Sequence, residues 1–221
     1  MPSRRRVLIQ CSASAVSFFG LTGFTHNKLL GGGGGGGSWK AIVTGWRDGL
    51  ALAVKAFVAF GNAQANIAEA LGLKKEAALM RAQAKKIEES GDSLGGSQLE
   101  EFGQNSASTQ KAINDKIKKT AVLDANQKTV LAKASGNFAK ALVSLAAGVV
   151  KLVDASSKAS SAPKPGFSDL DAIKVAPQIV ELMPKAVGVI PKIFEVANDY
   201  GKLASEKGIA VPSMPASPSF S

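Results

Sequence analysis

Three prolines spaced by seven, Pro177, Pro184 and Pro191, fall inside a stretch whose apolar residues otherwise recur with a helical period. A proline inside a helix removes one amide donor and pushes away the carbonyl four residues earlier, so it bends the helix away from its ring. Spacing by seven puts all three rings on one face. With Met183 and Ile190 at heptad position a, the prolines fall at b, beside polar c residues (Gln178, Lys185, Lys192) and f residues (Glu181, Gly188, Glu195). The d, e and g positions are apolar: Ile179, Ala186 and Ile193; Val180, Val187 and Phe194; Leu182, Val189 and Val196. The rings therefore sit on a wet face, and the helix is expected to curve inward over whatever its apolar surface covers. Water is expected to reach the carbonyls freed near Val180 and Val187. Ile179, Leu182, Met183, Ala186, Val189, Ile190, Ile193 and Phe194 form the candidate apolar ligand-facing surface, although a filled core would use the same residues.

The rest of the body is helical by the same criterion. Over 39–71, Trp46, Leu50, Ala53, Phe57, Phe60, Gln64, Ile67 and Leu71 recur in steps of three and four, leaving Arg47, Lys55, Asn62 and Glu69 to water. A second helix is expected over 74–90, rich in Ala, Lys and Glu. A third is expected over 97–120, opened by a Ser97–Glu100 capping box and carrying a thin apolar seam of Leu99, Phe102, Ser106, Thr109, Ile113 and Ile117. A fourth is expected over 125–158. Its apolar run at 137–153 is interrupted by Asn137, Lys140, Ser144 and Lys151 along one stripe and is shorter than the ~20 residues that cross a bilayer. A linker follows at 156–166, and Ser168 can cap the last helix. The expected fold class is all-α, a single bundle of four to five helices over 39–210 whose last helix is kinked by proline and curved.

Cysteine and histidine inform by their scarcity. The one Cys is Cys11 and the one His is His26. A mature chain starting near residue 27 would hold no thiolate nucleophile, no imidazole base and no soft ligand for a metal. Adjacent carboxylates such as Glu88/Glu89 and Glu100/Glu101 diverge by about 100° on a helix and do not converge on a substrate. No catalytic residue, metal site or cofactor is expected, and the chain is read as no enzyme. The formal charge is +10, but four of the 27 basic residues lie in the first thirty, which hold no acid, so 23 basic side chains face 17 acidic ones in the remainder. Those lysines are dispersed among Glu and Asp, so no nucleic-acid partner is expected.

Residues 1–30 open with Arg4, Arg5 and Arg6 and continue into an uncharged, Ser-rich apolar run from Val7 to Phe24, the layout of a signal peptide. Ser3, Arg4, Arg5 and Leu8 resemble the bacterial twin-arginine export motif, with Val7 in place of its Phe and Ile9 in place of its Lys. That resemblance covers about six residues and implies export toward the periplasm or the extracellular space. Three arginines also suit an ordinary secretory n-region, and a retained anchor is the other alternative. Seven consecutive glycines, within a linker assigned to 31–38, read as a tether, since no strand precedes them and no Lys is placed to hold a phosphate. The segment 211–221, with Pro212, Pro215 and Pro218, is expected to be disordered.

These features point to an exported, non-enzymatic helical-bundle protein that binds a hydrophobic small molecule, a lipid or an envelope protein partner. The alternatives are a membrane-active, pore-forming-type helical protein and a purely structural interaction protein. Weak association with a membrane surface is compatible with the positive balance.

Overall fold

The seam of the first helix organises everything behind it. In the computed structural model, which describes residues 38–220, α1 runs Trp39–Ala70, and Trp46, Leu50, Ala53, Phe57, Phe60, Gln64 and Ile67 are all buried. Residues 1–37, including the expected signal segment, the glycine tether and Ser3, Arg4, Arg5 and Leu8, lie outside the described residues. The helix ends in a Schellman turn. Gly72, at φ +76°, donates to Glu69 O (2.9 Å) while Leu73 N donates to Ala68 O (2.8 Å), a geometry that only glycine adopts cheaply.

Four further α-helices complete an all-α bundle with no strand among the described residues: α2 (Lys74–Ser90), α3 (Gly96–Lys119), α4 (Ala125–Ser161) and α5 (Leu170–Glu206). A short 3-10 turn, Gly91–Ser93, joins α2 to α3. One hydrophobic core draws residues from all five α-helices. α1 packs along α4 and also touches α2, α3 and α5, while α5 rests mainly on α3 and secondarily on α4.

The α1–α4 pair approaches closely because both helices drop their side chains at the crossing. A Cβ at Gly49 would lie 2.9 Å from Gly148 O, and one at Gly148 would lie 2.8 Å from Gly49 O. Gly103 plays the same part between α3 and α5, where a Cβ would meet Val189 Cγ1 at 2.7 Å. Glycine costs about 1 kcal/mol of helix propensity, and close backbone approach offsets that cost through packing.

Several ends differ from the sequence expectation. α3 starts at Gly96, not with a Ser97–Glu100 box; Gln98 Oε1 instead accepts from Gly95 N (2.9 Å). A capping box not anticipated opens α4, where Asp124 Oδ1 accepts from Gln127 N (2.7 Å) and Gln127 Oε1 from Asp124 N (3.1 Å). α4 continues to Ser161, through half of the expected linker, and α5 begins after Asp169 with no side-chain cap. The thin seam of α3 is fully buried. Its polar members form a layer in which Gln64 Nε2 donates to Ser106 O (2.8 Å) and Gln110 Oε1 (3.3 Å). Beyond a second Schellman turn at Gly208, residues 209–220 have no regular secondary structure. They are nonetheless held: Ile209 is buried, and Val211, Met214 and Phe220 pack against the core.

α5 is one helix through all three prolines. Pro177 and Pro184 are exposed and Pro191 is half-buried, which puts the rings on the outer face as the heptad assignment requires. The expected width of the inner face needs correction. Val180 and Val187, assigned inward at e, are 75% and 46% exposed, while a, d and g positions and Phe194 face inward. The tertiary packing leaves that flank of α5 without a neighbouring helix. Pro184→Ala is expected to stabilise the bundle by about 1–3 kcal/mol, since it restores an amide to Val180 O at an exposed position. Thermal unfolding of the variant checks this; a lower melting temperature would mean that the bend is needed for packing.

Candidate functional site

Of the eight residues of the candidate ligand surface, seven are buried, with Ile179 at 5% exposure and the others of similar or lesser exposure; Met183 is half-buried. They fill the core instead of lining a space. Of five surface clefts, only one touches this set, at Val189: a cleft of about 440 Å³ between α3 and α5, bordered by Glu100, Lys185 and Lys192. The structure therefore brings the predicted residues together as a packed layer.

The polar groups of unusual protonation are accounted for by the fold. Tyr200 is buried and donates to Leu131 O (2.8 Å), and burial pushes its phenol well above the ordinary range. Asp171 is held below the usual carboxylate range by hydrogen bonding and charge from Arg47, at 2.8 Å, which ties α5 to α1. Glu101 is lowered by hydrogen bonds from Lys86 and Gln83, which tie α2 to α3. Trp46 Nε1 donates to Gln178 Oε1 (2.9 Å), and Gln178 Nε2 to Asp92 O (2.6 Å), closing the same end. Each of these pairs joins two helices and none faces a cleft with a second reactive group. No cluster of three or more His, Cys, Asp or Glu suited to a metal occurs among the described residues.

Tyr200 is the one tyrosine of the chain, which makes its ionisation a clean probe. A phenol whose value is raised by folding stabilises the fold fully below its unfolded value near 10, and that contribution is lost as pH rises beyond it. The ultraviolet titration of Tyr200 is thus expected to coincide with alkaline unfolding seen by circular dichroism. Ionisation near pH 10 in a folded chain would contradict the buried placement.

What the interior does not offer, the surface does. Val143 and Val150 on α4 are 59% and 65% exposed, and Ile173, Val180 and Val187 on α5 are 41%, 75% and 46% exposed. The Tyr200–Leu131 bond sets the antiparallel register of the two helices. Equal steps along α4 and back along α5 from that bond bring Val143 level with Val187 and Val150 level with Val180, to within one residue.

The flanks agree. The Lys151–Asp48 ion pair (3.1 Å) marks the α1 side of α4, and Lys185–Glu100 (2.8 Å) marks the α3 side of α5. At about 100° per residue the exposed valines occupy the other flank of each helix, toward one another. Half-buried Ala146 and Val153 on α4, and Ala176 and Met183 on α5, connect them to the core. The result is an apolar strip that carries no charged side chain from Ile173 to Pro191, about 27 Å at the helical rise.

The prolines belong to the strip as well. Pro177, Pro184 and Pro191 have no amide for the carbonyls of Ile173, Val180 and Val187, and these are the three residues α5 exposes along it. The heptad repeat in the sequence signals this row. What it could not show is that α4 contributes a parallel row of valines. By length and composition one helix among the described residues, α1, could cross a membrane, and 61% of its most apolar window is buried inside the bundle. In comparisons with protein-family models, with curated proteins and with solved structures, the chain finds no match.

Proposed function

We propose that the protein is an exported, non-enzymatic helical bundle that works by binding an envelope partner through the α4–α5 strip. The observation that carries this reading is the strip itself, a run of exposed β-branched residues and prolines without a charge, on a bundle whose interior is filled. Exposed apolar area of this continuity marks interaction surfaces in soluble bundles. The export half of the proposal rests on the signal-like layout of residues 1–30 and on Ser3, Arg4, Arg5 and Leu8. A hydrophobic small molecule or lipid is placed by this reading on the outer surface, since the inner residues of α5 are occupied by packing.

The test is site-specific photo-crosslinking in the host. A benzophenone amino acid at Val150 or Val180 is expected to give adducts, and one at Lys85, exposed on α2, is expected to give none. Absence of adducts from both strip positions, with export and folding intact, would sink the reading.

A further inference from the structure

We infer that the occupant of the α4–α5 strip is an anionic lipid surface, on which the bundle lies at the level of the headgroups. This rests on the proposed role of the strip and adds its partner. The first argument is the chemistry of the strip. It offers aliphatic side chains and no charged or donor side chain between Ile173 and Pro191, so it has nothing with which to select a polar or charged partner. Amphipathic surfaces that rest on bilayers have this composition, with an apolar face bounded by lysines.

The second argument is the rim. Lys133 and Lys140 on α4, Lys164 in the connection between the helices, and Lys174 and Lys192 on α5 are exposed and take part in no ion pair. The carboxylates of α5 on the same side without an ion pair are Glu181, whose Oε1 accepts from Gly96 N (3.2 Å), and Glu195. The balance is positive, which complements phosphate. A second copy seated on the strip would face these lysines with their own like charges. Phe167, 98% exposed, and Leu170, 69% exposed, extend the apolar surface at the end of the strip where Lys164 and Lys174 lie.

The third argument sets the depth. The carbonyls of Ile173, Val180 and Val187 lack the amide that a following turn would supply, and in hydrocarbon such groups would stay unpaired at a cost of several kcal/mol each. Water and headgroup donors satisfy them at the interface. The strip therefore suits surface residence and not a span.

The experiment reads the strip directly. In the full chain with Cys11→Ser, single cysteines at Val150, Val180 or Lys85 carry an environment-sensitive nitrobenzoxadiazole label. With vesicles of equal parts phosphatidylglycerol and phosphatidylcholine, the labels at 150 and 180 are expected to shift to the blue and brighten while the label at 85 stays unchanged. Pure phosphatidylcholine should give little response, and added salt should weaken the anionic response. Adding Val143→Asp and Val187→Asp should raise the lipid concentration for half-response on the order of tenfold or more.

Any apolar segment in the first thirty residues that reaches the vesicle would not by itself move the strip labels. No shift at 150 and 180 overturns the inference, as does an equal shift with neutral vesicles or at position 85. A shift that follows protein concentration without lipid assigns the strip to a second copy. Photo-adducts with protein, in a chain whose strip labels ignore vesicles, would overturn the lipid occupant while leaving the strip as the binding face.

Discussion

Gly49→Val is expected to cost the bundle about 3 kcal/mol or more, a large share of the stability of an ordinary domain, and to lower its melting temperature by roughly 10 °C. The reason is backbone, not side chain. A Cβ at position 49 already lies 2.9 Å from Gly148 O and 3.0 Å from Leu152 N, and neither atom can move without moving α4. Valine adds two methyl groups to that clash, and the helices must separate along the longest interface in the fold. Gly136→Ala is the matched control, since a Cβ there meets nothing within 4 Å and the substitution gains helix propensity. It should raise stability by up to about 1 kcal/mol. Thermal melts of both variants decide the point; a Gly49→Val protein as stable as its parent would mean that the α1–α4 crossing is looser than described.

Phe138→Ala is expected to cost about 3–5 kcal/mol. Phe138 is fully buried, stacked on Phe60 with ring centroids 4.5 Å apart and met edge-on by Tyr200 at 5.3 Å. Three helices converge there: α1 through Phe60, α4 through Phe138 and α5 through Tyr200. Truncation leaves a cavity that aromatic walls cannot close, and it removes two ring contacts worth ~0.5–1.5 kcal/mol each. Urea unfolding should show a lower midpoint with an unchanged slope. Combined with Phe60→Leu, the losses should be less than additive, because the second substitution removes a partner already lost. Strict additivity would argue against the shared cluster.

The strip and the core make different demands on the same helix, and α5 meets both by register. Its a, d and g positions and Phe194 are spent on packing, while Val180, Val187 and the prolines face out. A substitution at Ile190 or Ile193 would therefore report on folding, and one at Val180 would report on binding. The separation is what makes the labelling experiment interpretable.

Much of the architecture was legible in local pattern. The seam of α1 from Trp46 to Ile67 is buried as its spacing requires, because a helix with apolar residues at steps of three and four has one face that water rejects. The prolines fell on the outer side of α5 for the same reason, since a period of seven holds a helical face. Helix ends were less legible: Gln98 and Asp124 cap through short side-chain geometry that competes among several nearby candidates, and Ser97 and Ser168 were plausible rivals.

What the sequence determined by itself was the set of helices, their wet and dry faces and the absence of histidine and cysteine from the body. Only the tertiary structure decided that α1 lies against α4 across Gly49 and Gly148, that the inner residues of α5 are filled, and that Val180 and Val187 are left outside. Periodicity is a property of one helix and shows which residues seek cover. Which of them receive it depends on how many neighbours a helix has and on which flanks, and α5 has α3 on one side and an open valine row of α4 on the other.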